Sequence, residues 1–108
     1  MKAIYKKAVQ LFKDKIQRVY GDRLVAVILY GSCARGEESD ESDIDLFVLL
    51  KDIGDFWKEV HQISEIESQV HELLDYQVFI SAIPVRAEDF YQKQLPIFMN
   101  VKKEGIFV

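Results

Sequence analysis

Two apolar runs joined by a polar loop constrain the fold of this chain more than any other feature. Residues 24–30 read LVAVILY, and residues 43–50 read DIDLFVLL. Short continuous apolar runs of this kind, rich in β-branched residues, are typical of strands buried on both faces. The sequence therefore predicts a small sheet covered by helices.

The remaining apolar residues follow helical spacing in two long stretches, which predicts helices at about residues 3–20 and from residue 56 to 74. Gly21 is predicted to end the first helix. Shorter elements are predicted further along: a strand over 76–83 halted by Pro84, a helix over 87–94, a helix from Pro96 to Gly105, and an edge strand or packed tail over 106–108. This order predicts one domain spanning residues 1–108, with an α/β (α+β) fold in which helices pack on a small mixed β-sheet.

Two carboxylates stand one residue apart at the head of the second apolar run. In a strand, Asp43 and Asp45 point to the same face, while Ile44 between them points into the core. At a separation of about 6 Å and an effective dielectric near 20, two such charges repel by roughly 3 kcal/mol. A bound divalent cation is the simplest relief. Carboxylates without a neighbouring histidine or cysteine favour Mg²⁺ or Mn²⁺.

A small-residue turn follows the first apolar run. Gly31 lets backbone N–H groups approach an anion closely, and the hydroxyl of Ser32 adds another donor. Arg35 follows, and it either contacts a phosphate or acceptor, or braces the loop by pairing with an aspartate. If the two apolar strands are neighbours, this turn and the aspartate pair form one site.

The spacing of these residues resembles a known signature. Gly31-Ser32, ten residues, and then Asp43-Ile44-Asp45 resembles the signature of the DNA polymerase β-type nucleotidyltransferase superfamily. The stretch GSCARGEESDESDIDLFVLL is similar to that of the minimal nucleotidyltransferases (MNT). The resemblance implies a polymerase-β-like fold and transfer of a nucleoside monophosphate from an NTP to a hydroxyl.

The same resemblance implies residue roles. Asp43 and Asp45 are expected to hold two Mg²⁺ ions, and Gly31-Ser32 to hold the β- and γ-phosphates. The family also supplies a third carboxylate from a later strand, but residues 76–81 contain no acid. Asp75, just before that stretch, is our candidate for the third catalytic carboxylate. It is also readable as a residue of the turn between helix and strand.

The acceptor is open at the level of sequence. Minimal members of the family pair with a helical HEPN-type protein as antitoxins, like MntA, and some transfer AMP from ATP to that partner, which is our leading hypothesis. The alternatives are a catalytically weak or inactive module that neutralises its partner by docking, and a transferase acting on a small molecule or an RNA end. With no domain besides this one, a HEPN-type partner or a second copy of the chain is expected to complete the site.

Charge and hydropathy narrow the class further. The net charge is −4, and half of the Lys and Arg side chains fall within residues 1–23. The chain therefore offers at most a basic first helix, whereas extended nucleic-acid binding usually needs a broad basic surface, so such binding is not predicted. No apolar run approaches the roughly 20 residues of a membrane helix, no secretory signal is evident, and Cys33 is the only cysteine. We therefore expect a cytoplasmic protein.

The other polar and aromatic residues are given structural interpretations. Ser42 is predicted to hydrogen-bond within the loop, and Cys33 to be a small packing residue. His61 and His71 are predicted at the surface or its boundary. The acids of the loop that are expected to face water are Glu37, Glu38, Asp40 and Glu41. The aromatics that are expected to lie in the core are Trp57, Tyr76, Phe79, Phe90 and Phe98.

Overall fold

The computed structural model describes residues 1–39 and 42–108 of the chain. A 3₁₀ turn over Gly21–Arg23 follows the first helix. The elements are α1 (Ala3–Tyr20), β1 (Leu24–Tyr30), α2 (Gly31–Ala34), β2 (Ile44–Leu50), α3 (Phe56–Leu73), β3 (Ile80–Arg86), α4 (Ala87–Gln92), α5 (Pro96–Glu104) and β4 (Ile106–Phe107).

The four strands form one mixed sheet in the order β3-β2-β1-β4. β1 pairs antiparallel with β2, and β4 pairs antiparallel with β1. β3 pairs parallel with β2 because α3 carries the chain back to the end of the sheet at which β2 begins, before β3 starts. The predicted mixed sheet with helices is confirmed, and the two apolar runs are neighbouring strands.

Each face of the sheet has its own apolar layer. One layer joins α1 and α3 to strand residues that include Ile44, Leu46 and Val48. The other joins α4 and α5 to the alternate residues, among them Phe47 and Leu49. β2 is therefore buried on both sides, as its continuous apolar sequence predicts.

The bounds of the long helices agree with the helical spacing. α1 ends where Gly21 takes a positive φ of 52°, which glycine adopts without strain. α3 begins after Asp55, whose carboxylate accepts hydrogen bonds from the backbone N–H groups of Trp57 at 3.1 Å and Lys58 at 3.3 Å. This side-chain cap satisfies donors that the first helical turn leaves free.

The third strand differs from its prediction. It begins at Ile80, four residues after the predicted start, because Asp75 and Tyr76 form a turn with φ of 53° and 57°. It also continues through Pro84 to Arg86. β3 lies at the edge of the sheet, where a proline need not donate to a neighbouring strand, so Pro84 does not end it.

The prediction that all the aromatic residues lie in the core is only partly right. Phe90 and Phe98 are buried and pack against the ring of Phe47. Trp57 is 70% exposed, and Tyr76 and Phe79 are also exposed, so that prediction is wrong for these three. They lie at the two ends of α3 or just beyond, outside the stripe that faces the sheet. Among the helices described here, none is both long and apolar enough to cross a membrane.

Candidate active site

The end of β1 and the head of β2 meet at the predicted site. Tyr30 and Asp45 are paired residues in the antiparallel ladder, so Gly31 follows directly beside Asp45. Gly31 has a φ of +75°, and a Cβ placed on it would collide with Oδ2 of Asp45 and lie 3.3 Å from its Cγ. Glycine is therefore required at position 31 for two reasons, which are its backbone conformation and the close approach of the Asp45 carboxylate.

Gly31 and Ser32 begin a short helix rather than a simple turn. The chain makes one helical turn over Gly31–Ala34, and Arg35 N–H donates to Gly31 O at 3.2 Å. Gly31 and Ser32 are both partly exposed. Their role in phosphate binding stays a prediction, while their position beside Asp45 is a feature of the structure.

Asp45 is half-buried and electrostatically strained. Burial raises the pKa of its carboxyl, and the charge of Asp43 raises that pKa further, whereas Arg35 lowers it. The charge of Asp43 thus acts on Asp45, although Asp43 lies one residue before β2 rather than inside the strand. Arg35, the cation that lowers the pKa of Asp45, pairs directly with Glu37 and Glu104, and an all-oxygen carboxylate pair fits a hard divalent ion such as Mg²⁺.

Arg35 braces the loop. Its Nε lies 3.1 Å from a carboxylate oxygen of Glu37, and its Nη1 lies 3.3 Å from one of Glu104 in α5. The partners are glutamates rather than the aspartate considered from sequence. Arg35 also lines a cavity of about 160 Å³ beside Gly31, so the bracing interpretation and a role at the site are both compatible with its position.

Two residues before the undescribed positions, Glu38 and Ser39, contact the N-terminal segment and α1. Glu37 is exposed, as predicted, but the side chain of Glu38 is only 7% exposed, so the prediction that it faces water is wrong. Its Oε1 accepts from Lys2 N–H at 3.2 Å, and hydrogen bonds to backbone N–H groups, its own first, lower the pKa of its carboxyl. Asp40 and Glu41 lie outside the described residues.

Ser42 hydrogen-bonds within this loop, as predicted. Its Oγ accepts from Ser39 N–H at 2.9 Å. The hydroxyl of Tyr5, on α1, donates to Ser39 O at 2.7 Å. These contacts tie Ser39 to Ser42, which precedes Asp43, and to α1.

Among the residues that the structure describes, none forms a third acidic ligand beside the aspartate pair. Asp75 lies in the turn after α3, and the described part of the chain contains no group of three Asp, Glu, His or Cys side chains that could hold a metal. Asp75 as the third ligand therefore stays a prediction without geometric support. The residue paired with Asp45 in the parallel ladder is Ser81, which is exposed.

Two residues, His71 and Cys33, lie near Asp43 although the sequence analysis did not connect them with it. His71 is partly buried, as a boundary residue, and its Nε2 accepts from Ile80 N–H at 2.8 Å. Burial lowers the pKa of His71, and the charge of Asp43 opposes this shift. Cys33 is a buried packing residue, as predicted, and its Sγ also lies 3.6 Å from Asp43 O. No spacing in the sequence links either residue to Asp43.

Comparison with known proteins defines the class. The family described as Polymerase beta, Nucleotidyltransferase matches residues 6–106, and the chain belongs to this family. Two relatives come from Methanocaldococcus jannaschii, and both carry an inferred assignment as protein adenylyltransferases. One is 33% identical over 92% of this chain and 92% of its own length. The other is 40% identical over 67% of this chain and 70% of its own length.

A solved structure confirms the fold. A crystal structure of a toxin–antitoxin complex with AMP-PNP aligns with a TM-score of 0.59 at 21% sequence identity. The alignment covers 89% of this chain and 68% of that one. The fold expected from the resemblance to minimal nucleotidyltransferases is therefore confirmed.

Proposed function

We propose that this domain transfers AMP from ATP to a hydroxyl group of a partner protein. The observation that carries the proposal is the contact between Gly31 and Asp45, which puts a small-residue turn against a strained carboxylate pair. Membership of the nucleotidyltransferase family supports the reaction class. The assignments of the two archaeal relatives support AMP as the group transferred and a protein as the acceptor.

The roles of the residues follow from their chemistry. Asp43 and Asp45 would hold Mg²⁺, as two ions in the family's pattern, with Mn²⁺ as an alternative. When bound, the metal neutralises phosphate charge and orients the triphosphate. Gly31 and Ser32 would receive the β- and γ-phosphates through backbone N–H groups and a hydroxyl. Arg35, which lines the cavity beside Gly31, adds positive charge near Asp45.

The reaction forms one bond and breaks one. The acceptor oxygen attacks the α-phosphorus, and the bond from that phosphorus to pyrophosphate breaks. The described residues place no third carboxylate at the site to take the acceptor's proton. We therefore assign proton removal to solvent or to a group that the partner brings.

A HEPN-type helical protein is the partner we propose. The toxin–antitoxin complex that shares this fold was crystallised with AMP-PNP, which supports both an adenine nucleotide and a toxin partner. A second copy of the chain is the alternative source of the missing groups.

The experiment is a labelling reaction with the product of the neighbouring gene. The purified pair is incubated with Mg²⁺ and ATP labelled at the α-phosphate, and protein-bound label is measured. We expect label on the partner, its loss in Asp43→Ala, and its retention in Asp14→Ala, which removes an exposed carboxylate of α1. Absence of label from the partner with the folded wild-type protein would contradict the proposal.

A second candidate function is neutralisation by docking alone. The observation in its favour is Ser81, which carries a hydroxyl and pairs with Asp45 on β3. β3 is the later strand from which the family resemblance leads us to expect a third carboxylate. A tight complex that carries no label and is unaffected by Asp43→Ala would establish docking. Transfer to a small hydroxyl compound or an RNA end with no protein partner present would instead indicate the third alternative.

A further inference from the structure

A chain of hydrogen bonds crosses the site from α3 to α2 through two peptide groups. Its first link is His71, whose Nε2 accepts from Ile80 N–H at 2.8 Å. The carbonyl of that same peptide group belongs to Phe79, and it accepts from Ile44 N–H at 2.8 Å. One peptide group, between Phe79 and Ile80, therefore joins the imidazole to the head of β2.

The second peptide group in the chain is the one between the two functional carboxylates. It joins Asp43 to Ile44, so its N–H is the Ile44 donor of the first link, and its carbonyl oxygen belongs to Asp43. That oxygen lies 3.6 Å from Sγ of Cys33, within reach of a weak thiol hydrogen bond. Cys33 is in α2, the helical turn that Gly31 and Ser32 begin.

We propose that His71 and Cys33 are positioning residues that hold the Asp43–Ile44 peptide, and with it the carboxylate pair, in register with the Gly31-Ser32 turn. The inference rests on the proposed function, because it assigns the two residues a role in placing metal and nucleotide. Neither side chain is required to contact the substrate.

The edge position of β3 explains why His71 is needed. Ile80 N–H points away from β2, and in the described part of the sheet no strand lies beyond β3 to accept from it. The imidazole also packs edge-to-face on Phe79, with ring centroids 5.1 Å apart. The backbone carbonyl of His71 accepts from Tyr76 N–H at 2.8 Å. The imidazole of His71 thus holds the Phe79–Ile80 peptide in two ways, by accepting from Ile80 N–H and by packing on the ring of Phe79.

Polarisation makes the links mutually supportive. A peptide whose N–H is hydrogen-bonded has a more strongly accepting carbonyl, so losing His71 weakens the bond from Ile44 N–H to Phe79 O. In metal sites, removing a residue that orients a metal ligand from outside the coordination shell typically lowers metal affinity or activity by about 10- to 100-fold. We expect an effect of that order here.

The first test compares two substitutions of His71. His71→Phe keeps a ring but has no acceptor, whereas His71→Gln places an amide oxygen near the position of Nε2. We expect His71→Phe to weaken Mg²⁺-dependent ATP binding and to lower kcat by about tenfold or more, with little change in KM for the partner. His71→Gln should recover most of the loss. His61→Phe, at an exposed position of the same helix, should behave as wild type.

The second test approaches the chain from its other end. Cys33→Ala removes the thiol donor, and Cys33→Ser restores a donor of similar size. We expect Cys33→Ala to raise the Mg²⁺ concentration needed for half-maximal activity and Cys33→Ser to reverse this. This pair keeps the inference testable if His71→Phe does not fold.

A core variant that is destabilised but keeps the hydrogen-bond chain separates a loss of positioning from a general loss of stability. Ile63→Val removes one methylene from the buried face of α3 and leaves the hydrogen-bond chain intact. Assayed well below its Tm, it should keep wild-type kcat and Mg²⁺ dependence.

The outcomes distinguish this inference from the proposed function. If wild-type protein binds Mg-ATP or labels its partner, and folded His71→Phe or Cys33→Ala does the same with unchanged constants, the positioning role is overturned. Equal losses in His71→Phe and His71→Gln would also overturn it. If the wild-type protein itself neither binds Mg-ATP nor transfers label, the proposed function fails instead.

Discussion

At the scale of single residues, Gly31 of the candidate site can be compared with Gly36, which has a similar backbone conformation but different surroundings. Gly31 and Gly36 have similar positive φ values, +75° and +71°, but only Gly31 has a neighbour that an added Cβ would meet. We expect Gly36→Ala to cost about 1 kcal/mol of stability from backbone strain alone. Gly31→Ala should cost a further 1–3 kcal/mol, roughly, from overpacking against Asp45.

These costs are measured by urea denaturation of the two variants, and Mg-ATP binding is measured on both. Gly31→Ala should lose binding, and Gly36→Ala should keep it. Equal destabilisation by the two substitutions, with binding intact in both, would mean that the contact between Gly31 and Asp45 is not a constraint.

The repulsion between the aspartates predicts a stability effect of Asp45→Asn in EDTA. The folded state raises the pKa of Asp45, so the native protein holds this proton at a higher pH than the unfolded chain does. Stability from this group is therefore lost as pH rises above the ordinary aspartate value of about 3.9. At pH 7 the Tm of Asp45→Asn should equal or exceed that of wild type, and the difference should narrow in acid. A large fall in Tm at pH 7 would show that the carboxylate is structural.

Ser81 offers a gain-of-function prediction. It pairs with Asp45 across β2 and β3 and is exposed, so Ser81→Asp would add a third carboxylate to the same row. We expect tighter Mg²⁺ binding and lower apo stability, because the added charge increases the repulsion that a cation relieves. Mg²⁺ titration followed by Tm measures both, with Ser68→Asp, at an exposed position of α3, as the control. Unchanged Mg²⁺ affinity would place the cation elsewhere.

At the scale of elements, the outer edge of β3 is closed by side chains of α3. Glu67 accepts from Ala82 N–H at 2.8 Å, His71 accepts from Ile80, and Pro84 has no N–H to offer. Burial is the main cause that raises the pKa of Glu67, so its charge is costly while its acceptor is useful.

Glu67→Gln keeps an acceptor and removes the charge, so it should be neutral or stabilising at pH 7. Glu67→Ala leaves Ala82 N–H unpaired and should cost about 1–3 kcal/mol. Thermal denaturation distinguishes the two. Equal destabilisation by both would indicate that the charge, rather than the hydrogen bond, stabilises this edge.

The elements that could be predicted from sequence are those with a strong apolar pattern. α1 and α3 follow from apolar residues at helical spacing, and β1 and β2 follow from continuous apolar runs, which indicate burial on both faces. β3 could not be bounded in this way. Its proline is tolerated only because it lies at an edge, and its start is set by a turn with positive φ at Asp75 and Tyr76. Edge position is a property of the assembled sheet and leaves no local signal.

At the scale of the whole molecule, the site is assembled from segments that are distant in sequence. The aspartate pair was predictable because carboxylates at i and i+2 share a face of a strand, and the glycine because it ends an apolar run. The roles we propose for Cys33 and His71 were not predictable, since they depend on which peptide groups meet across β2, β3 and the two flanking helices. Glu38 was mispredicted for the same reason, because its side chain packs against the N-terminal segment and accepts from Lys2 N–H.

The central claim is that Asp43 and Asp45, seated against Gly31, bind a nucleotide through magnesium. Calorimetric titration of AMP-PNP into the folded protein tests it directly, with Mg²⁺ and with EDTA, for wild type, Asp43→Ala and Asp45→Asn. We predict binding by wild type only when Mg²⁺ is present, and its loss in both variants. Binding that persists in EDTA, or that survives both substitutions, would contradict the account.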